Sequence, residues 1–233
     1  THKEYKLKKV KEKQMNHESY TTNEKDFTSN KVFLQGSVEN QPKFNHTAFD
    51  EDFYTFDLKV ARLSGKYDIL PINISSHITG FSNVVPGATI AVTGQFRSHN
   101  MLDENGKSRL ILSVFCKDLA EIDNTTNPNV IELSGYICKD PIFRVTPFNR
   151  QICDLLLAVN RQYNKSDYIP CICWGRNAEF VSSMPVGTKI TITGRIQSRE
   201  YNKIIVDTAQ PIKKVAYEVS VNKVVEEDKE NIF

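Results

Sequence analysis

Apolar and polar residues alternate along several short stretches of the first half of the chain. The clearest stretch runs from Phe53 to Arg62 and reads FYTFDLKVAR, so every second side chain can enter a core while its neighbours face water. Similar stretches cover residues 31–38, 67–74, 89–96 and 109–116. Asp103 to Gly106 predicts a hairpin turn, because Asn-Gly supplies the positive φ values of a tight turn. A short helix fits near residues 77–85, after the third strand.

The second half of the chain repeats the first at an almost constant spacing. Matching residues recur 99 positions later, and after one inserted residue the offset becomes 100. The matching pairs are Gly36 and Gly135, Pro42 and Pro141, Phe44 and Phe143, Val60 and Val159, Arg62 and Arg161, Asp68 and Asp167, Pro71 and Pro170, Phe81 and Phe180, Gly87 and Gly187, Gly94 and Gly194, and Ser98 and Ser198. The spacing therefore predicts two copies of one domain of about 90 residues.

Five strands with a helix after the third are the element order of an OB-fold barrel. We therefore expect an all-β protein of two tandem five-stranded OB-fold barrels, each with a short helix between strands 3 and 4. The predicted domains are residues 31–122 and 130–218, joined by the linker at 123–129. Residues 1–30 predict a flexible basic arm, and residues 219–233 predict an acidic tail.

Charge is unevenly distributed along a chain whose formal net charge is only +2. Residues 130–218 carry 12 Lys and Arg against 8 Asp and Glu, whereas residues 31–122 carry 9 against 10. This distribution fits an anionic partner for the second domain. No stretch approaches the roughly 18 apolar residues of a membrane span, and the N-terminus lacks the pattern of a signal peptide. We therefore expect a cytoplasmic protein that has no membrane partner.

The five cysteines predict free thiols rather than disulfides or a metal site. Cys171 and Cys173 are spaced as neighbours on one strand face, and together with Cys138 and Cys153 they lack the CxxC pairing typical of zinc sites. The chain also has no Gly-rich phosphate loop and no HExxH motif. We expect no catalytic residue, no metal and no cofactor.

The stretch from Tyr168 to Trp174 has two different faces. Alternation places Ile169, Cys171 and Cys173 together, and these are apolar and small enough for a core. The opposite face carries two large aromatic residues with polar tips, Tyr168 and Trp174. Such a face is unusual for a buried surface and suited to stacking on a ligand.

The second copy resembles the bacterial single-stranded DNA-binding protein (SSB) family over about residues 130–210. The resemblance rests on an ordered series of motifs rather than on any single one. They are Ser134-Gly135, Lys139-Asp140-Pro141, Phe143-Arg144-Val145-Thr146-Pro147, Leu157-Ala158-Val159-Asn160-Arg161, Asp167-Tyr168-Ile169-Pro170, Trp174-Gly175-Arg176-Asn177-Ala178-Glu179, and Gly194-Arg195-Ile196-Gln197-Ser198-Arg199-Glu200-Tyr201. The first copy resembles the family only through its repeat relation to the second.

The resemblance implies sequence-independent binding of single-stranded DNA without catalysis, in replication, recombination and repair. Bases would stack on aromatic residues, which by position are Tyr163, Tyr168, Trp174 and Tyr201. Basic residues would contact phosphates. The candidates are Arg144, Arg161, Lys165, Arg176, Arg195, Arg199 and Lys203. Surface Lys and Arg are common, so each of these is equally consistent with a solvated role.

The first copy departs from the family at all four stacking positions. Ser64, Ile69, Ser75 and Met101 stand opposite the aromatic residues of the second copy. Phe53, Tyr54 and Phe56 could form a different aromatic platform, but Tyr54 and Phe56 share one strand face, which favours the core. We therefore expect the first domain to be structural, to support oligomerisation, or to bind something else.

The end of the chain resembles the acidic tip with which the family contacts replication and repair proteins. The residues that carry this resemblance are Asp228, Glu230, Ile232 and Phe233. The family's proline is missing and Lys229 interrupts the acidic run, so an ordinary charged terminus is the alternative. The family works with four OB domains per assembly, so two per chain imply a homodimer. The two unlike copies could also pair within a monomer.

Three other functions remain open from the sequence. The chain could be a protein-interaction module, such as a primosome-type replication accessory or a mobile-element regulator, that has reused the fold. It could bind single-stranded RNA, which a comparison of oligo(dT) with oligo(U) would reveal. A metal-dependent enzyme is the third alternative, and the sequence offers it the least support.

Overall fold

The computed structural model describes residues 29–102, 106–203 and 212–227. Within these ranges the first half contains β1 (Asn30–Val38), β2 (Lys43–Ala48), β3 (Glu51–Ala61), β4 (Tyr67–Ser75), the 3-10 turn Phe81–Asn83, β5 (Thr89–Leu102) and β6 (Ser108–Ala120). The second half contains β7 (Asn129–Ile137), β8 (Ile142–Val145), β9 (Gln151–Arg161), β10 (Lys165–Trp174), α1 (Arg176–Ser182), β11 (Lys189–Lys203) and β12 (Ile212–Glu226).

Five strands of each half close into a barrel. In the first barrel, β1 pairs with β3 and β5, β3 pairs with β4, β4 pairs in parallel with β6, and β6 pairs with β5. In the second barrel, β7, β9, β10, β12 and β11 pair in the same way. This is the strand order of the OB-fold. The prediction of two tandem five-stranded OB-fold barrels is therefore confirmed, with a 3-10 turn or α1 before the fourth barrel strand.

Each barrel is filled by apolar side chains that alternate with outward-facing ones. Leu58 of β3 lies opposite Leu70 of β4, and both are fully buried. The equivalent pair in the second barrel is Leu157 and Ile169, which are also fully buried. Burial of each such side chain contributes about 1.5–3 kcal/mol to stability. Equivalent positions of the repeat thus build equivalent cores.

Two glycines allow strands of the first barrel to cross at close range. A Cβ atom added to Gly36 would lie 2.2 Å from the carbonyl oxygen of Lys59, and one added to Gly94 would lie 2.1 Å from that of Phe115. The strand register also shifts between Thr93 and Gly94, which marks a β-bulge. The closed barrel therefore requires glycine at these two positions of the repeat.

The two barrels join through their first strands. β1 and β7 pair in antiparallel fashion, from Asn30 opposite Leu133 to Leu34 opposite Asn129, so the described strands form one twelve-stranded sheet. The Asn30 amide donates to the carbonyl oxygen of Phe96 (2.8 Å) and accepts from its N–H (2.9 Å). Asn129 makes the same two bonds with Ile196. The junction is therefore nearly symmetric in these contacts.

Strands β2 and β8 were not predicted. Each is a short strand added to the edge of β3 or β9, and nearly all of its side chains are exposed. A strand with no buried face leaves no alternation in the sequence, so the pattern could not reveal it.

The acidic tail begins later than predicted. Residues 219–226 were assigned to the tail, but they form the last part of β12, in which Val219 and Val221 are buried. The correction leaves residues 228–233 for the tail, and these lie outside the described part of the chain.

Candidate nucleic-acid interface

Strand β10 separates core residues from aromatic ones, as the alternation predicted. Ile169 and Cys173 are fully buried and Cys171 is nearly so, whereas Tyr168 is 44% exposed and Trp174 is 37% exposed. The two aromatic side chains therefore lie on the outer face of the second barrel. Ile172, on the same face between them, is buried.

The indole of Trp174 is anchored at its polar edge. Its Nε1–H donates a hydrogen bond to the hydroxyl oxygen of Ser220 on β12, at 3.2 Å. Such a bond limits the orientations of the ring before any ligand binds. A ring that is already oriented loses less entropy on stacking against a base.

Tyr163 and Tyr201 lie at the edges of this barrel. Tyr163 is 88% exposed in the turn between β9 and β10, and it has a φ of +62°, followed by Asn164 at +53°. Tyr201 is 40% exposed and lies near the far end of β11, opposite Lys214 of β12. All four predicted stacking residues are thus accessible to solvent.

Two of the predicted phosphate contacts, Arg144 and Arg199, already face carboxylates. Arg144 donates two hydrogen bonds to Asp154, at 2.7 and 3.2 Å, and these bonds raise the pKa of its guanidinium. The Nε atom of Arg199 lies 3.6 Å from a carboxylate oxygen of Glu218. These pairs are largely exposed on the arginine side, so an incoming phosphate could compete for either arginine.

Arg161 and Arg195 lie at the junction between the barrels. A guanidinium nitrogen of Arg161 is 3.6 Å from the buried carboxylate of Asp167, and one of Arg195 is 3.4 Å from that of Asp68. Burial, together with the charge of Arg62, lowers the pKa of Arg195, although Asp68 opposes the shift. Arg195 thus reaches across the junction to Asp68, whereas Arg161 faces Asp167 of its own barrel.

The same junction explains why several repeat positions are the same in both halves. The N–H of Ser198 donates to Asp68 (2.7 Å), and the N–H of Ser98 donates to Asp167 (2.8 Å). The hydroxyl of Ser98 accepts from the N–H of Tyr168 at 2.7 Å. Burial raises the pKa of Asp167, while the N–H of Ser98 and the charges of Arg161 and Arg97 oppose the rise. Each barrel thus presents one aspartate to the other barrel.

The other predicted site residues are exposed, or their side chains lie outside the described residues. Arg176 and Lys165 are exposed, the first at the start of α1 and the second at the start of β10. Lys203 ends β11, but its side chain lies outside the described residues, as do Asp228, Glu230, Ile232 and Phe233 of the tail.

The first barrel has no open aromatic platform at the equivalent positions. Ser75, opposite Trp174 in the repeat, is buried and donates to Glu51 at 2.9 Å. Phe53 and Phe56 are buried, and Tyr54 packs on Phe81 with ring centroids 5.2 Å apart. Their assignment to packing rather than to a platform agrees with these contacts.

Sequence reasoning missed two groups of aromatic residues. Phe143 is exposed on β8, and Phe148 is 86% exposed in the turn that follows it, so both lie close in sequence to Arg144. In the first barrel, Arg97 lies 3.8 Å from the ring centroid of Phe115, a cation–π contact. Phe148 could have been found from the sequence, because a large apolar residue in a turn is unusual.

The cysteines are reduced and mostly buried. Burial raises the pKa of Cys116 and of Cys173 to about 12, so neither thiol ionises at neutral pH. In the described ranges no three His, Cys, Asp or Glu side chains come together as a group that could hold a metal ion. No helix among the described residues is long and apolar enough to cross a membrane.

Comparison with known proteins identifies relatives of the second barrel. Residues 128–225 match the model of the Single-strand binding protein family. Single-stranded DNA-binding protein 1 of Lactococcus lactis is 39% identical over 80 residues, covering 31% of this chain and 53% of the relative. Single-stranded DNA-binding protein A of Bacillus subtilis is 35% identical over 80 residues, covering 31% of this chain and 46% of the relative. This chain thus spans about half the length of these curated relatives.

A solved structure resembles both barrels together. The wild-type single-stranded DNA binding protein from Thermus aquaticus superposes with a TM-score of 0.67 at 19% identity, covering 88% of this chain and 95% of that protein. At this identity the likeness establishes the fold, and it covers both halves of the chain. The Single-strand binding protein family is therefore the family to which residues 128–225 of this chain are similar.

Proposed function

We propose that the chain binds single-stranded DNA, without sequence preference and without catalysis, on the outer face of its second barrel. The observation that carries this proposal is the exposure of Tyr168 and Trp174 on a strand whose alternate residues are buried. Base-on-aromatic stacking contributes about 1–3 kcal/mol per base and tolerates every base. The names of the relatives from Lactococcus lactis and Bacillus subtilis support the same ligand.

Phosphates would be bound by the basic residues around this face. Arg176 and Lys165 are exposed, and Arg144 and Arg199 can exchange their carboxylate partners for phosphate. Because each neutralised phosphate releases a counterion, affinity should fall as salt concentration rises. Arg195 would instead act on binding indirectly, by holding the two barrels together, and Arg161 by pairing with Asp167 at the same junction.

The two ends of the chain and a second copy of the chain would also contribute to this function. The predicted arm of residues 1–30 is shortened, because Asn30 begins β1. Residues 1–28 would be a basic arm, and the tip that contains Ile232 and Phe233 would recruit replication, recombination or repair proteins. Two chains would associate to give four barrels. The junction already pairs two barrels within one chain, which makes this two-barrel unit the natural building block of such an assembly.

Replacement of the two central aromatic residues tests the proposal. In fluorescence anisotropy with labelled oligo(dT), Tyr168→Ala combined with Trp174→Ala should weaken binding by about 1–3 kcal/mol for each lost stack. Tyr67→Ala is a matched control, because Tyr67 is an exposed tyrosine of β4 in the first barrel. Unchanged oligo(dT) affinity in the double variant would refute the proposed site.

A further inference from the structure

Two hairpins at matched positions of the repeat carry opposite charges. They contain β2 and β8, which are the two outermost strands of the twelve-stranded sheet. Residues 42–52 contain one lysine against three acidic residues, a net charge of −2 with histidine neutral, and are called the acidic hairpin. Residues 141–151 contain two arginines and no acidic residue, a net charge of +2, and are called the basic hairpin. The same segment of the repeat is therefore acidic in the first barrel and basic in the second.

Each hairpin also exposes phenylalanine side chains. Phe49 is fully exposed and Phe148 is 86% exposed, and the two are 99 positions apart, at the offset of the repeat. Phe44 and Phe143, a second matched pair, are exposed on the strand that leads to each tip. A fully exposed ring buries no apolar surface within the chain, so it contributes almost nothing to the stability of its barrel. Exposed apolar groups that cluster in one place are typical of an interaction surface.

Hydrogen bonds hold both tips in a defined shape. In the acidic hairpin, the hydroxyl of Thr47 donates to the carboxylate of Asp52 at 2.7 Å. In the basic hairpin, the N–H of Asn149 donates to the carbonyl oxygen of Thr146 at 2.9 Å, and the hydroxyl of Thr146 accepts from the N–H of Arg150 at 3.1 Å. A tip whose backbone is already fixed loses less entropy on forming a contact.

The charges of the two tips favour a second copy of the chain as the partner. Glu51 and Arg150 stand at matched positions of the repeat, and Asp50, Asp52 and Arg150 are exposed. The acidic hairpin would repel the phosphates of DNA, so DNA does not fit as the partner of both tips. A second copy carries a surface of opposite charge for each hairpin, and a contact between two like hairpins is disfavoured.

We propose that the acidic hairpin of one molecule contacts the basic hairpin of another copy that is bound next to it on the same DNA strand. Phe49 of one molecule packs against Phe148 of its neighbour, and the carboxylates around Phe49 face Arg150. Because the contact joins unlike surfaces, it can repeat from molecule to molecule in an open row. It rests on the proposed DNA-binding function, and it is separate from the association of two chains into four barrels.

Such a contact is weak between free molecules and stronger on DNA. Stable interfaces bury about 1,200–2,000 Å², whereas two hairpin tips offer only a small surface. A shared strand holds neighbouring molecules close together and raises their effective concentration. The contact therefore appears as cooperative binding to a long single strand.

The test compares two lengths of labelled oligo(dT) in a gel-shift titration: the shortest that binds one protein assembly, and one twice as long. On the longer strand, the affinity of the second assembly divided by that of the first measures cooperativity, and this ratio should exceed one for the parent. Arg150→Glu and Asp52→Arg should each lower the ratio about fivefold, the effect that exposed ion pairs allow. The variant with both substitutions should recover the parent ratio, because the charges are exchanged rather than removed.

Glu121→Arg is the matched control, because Glu121 is an exposed acid of the first half outside the hairpin, and its ratio should equal that of the parent. All substituted positions are exposed, so the variants should fold. A parent ratio of one, or no recovery in the variant with both substitutions, would overturn the proposal.

The shorter oligonucleotide reports the proposed function by itself, and all of these variants should bind it as the parent does. Weaker binding of Arg150→Glu to this oligonucleotide, with an unchanged ratio on the longer one, would show that the basic hairpin binds phosphate and would overturn the proposed contact. Absence of binding to either length by the parent would refute the proposed function, and the contact with it.

Discussion

Glu227 shows how a single residue secures the end of the last strand. Its carboxylate lies 2.6 Å from the Lys189 ammonium and accepts hydrogen bonds from the hydroxyls of Ser134 (2.7 Å) and Thr191. These donors lower the pKa of Glu227 to about 2. A carboxylate with a depressed pKa stabilises the fold above its unfolded pKa, and this contribution is lost as pH falls towards 2. We expect Glu227→Gln to cost about 1–2 kcal/mol at pH 7, allowing for solvent screening of this partly exposed group.

Urea unfolding of parent and Glu227→Gln between pH 7 and pH 2.5 measures this contribution. The difference in free energy of unfolding should shrink steadily below about pH 4.5, the ordinary range of a glutamate pKa. Glu226→Gln, at the neighbouring exposed residue, is the control and should show no such trend. A difference that stays constant with pH would contradict the assigned hydrogen bonds.

Asp68 joins the two barrels through a buried carboxylate. It is fully buried, it accepts from Ser198 of the other barrel, and it pairs with Arg62. Asp68→Ala would leave two partly buried guanidinium groups, of Arg62 and Arg195, without their carboxylate. We expect a loss of about 3 kcal/mol in the free energy of unfolding. Chemical denaturation should show it, whereas Asp140→Ala at an exposed position should change stability little.

The strands with one buried face were the elements that could be predicted best from the sequence. The alternation in residues 53–62 and 168–174 predicted β3 and β10, and it separated Tyr168 from Ile169. The exposed edge strands β2 and β8 left no such pattern. The sequence prediction ended the second domain at residue 218, before the end of β12. Apolar and polar residues alternate from Tyr217 to Val225, but the segment before them shows no such alternation. The pairing of β12 with β11, from Ile212 opposite Lys203 to Glu226 opposite Ile190, shows where β12 begins and ends. The sequence of either strand alone does not reveal this pairing.

The close crossing of strands at Gly94 predicts that a larger residue at this position destabilises the first barrel. Gly94→Ala would place a Cβ atom 2.1 Å from a backbone oxygen that cannot move without breaking the pairing of β5 with β6. We expect a loss above about 3 kcal/mol. Gly65→Ala meets no atom within 4 Å and carries only the cost of its φ of +76°, roughly 1 kcal/mol. Thermal melting should rank the two variants in this order, and equal melting temperatures would contradict the close crossing.

At the scale of the whole molecule, the repeat predicted two barrels but not how they meet. Asp68, Asp167, Ser98 and Ser198 were visible as matched positions, yet the bonds between them join opposite barrels. A contact between distant segments leaves no local pattern, so these bonds could not be predicted from the sequence.

The proposed assembly predicts a mass. Sedimentation equilibrium of the full chain should give twice the chain mass of 26.6 kDa, because two chains supply four barrels. A monomer that still binds oligo(dT) would show that the two barrels of one chain bind DNA without a second chain, and would contradict the proposed homodimer.

Fluorescence of Trp174, the single tryptophan of the chain, tests the central claim most directly. Titration with oligo(dT) at several salt concentrations reports stacking at this ring and the contribution of phosphate contacts in one experiment. We expect saturable quenching, with an affinity that falls linearly on a log–log plot as the salt concentration rises. Oligo(dT) binding that leaves Trp174 fluorescence unchanged, or quenching that is independent of salt, would contradict it.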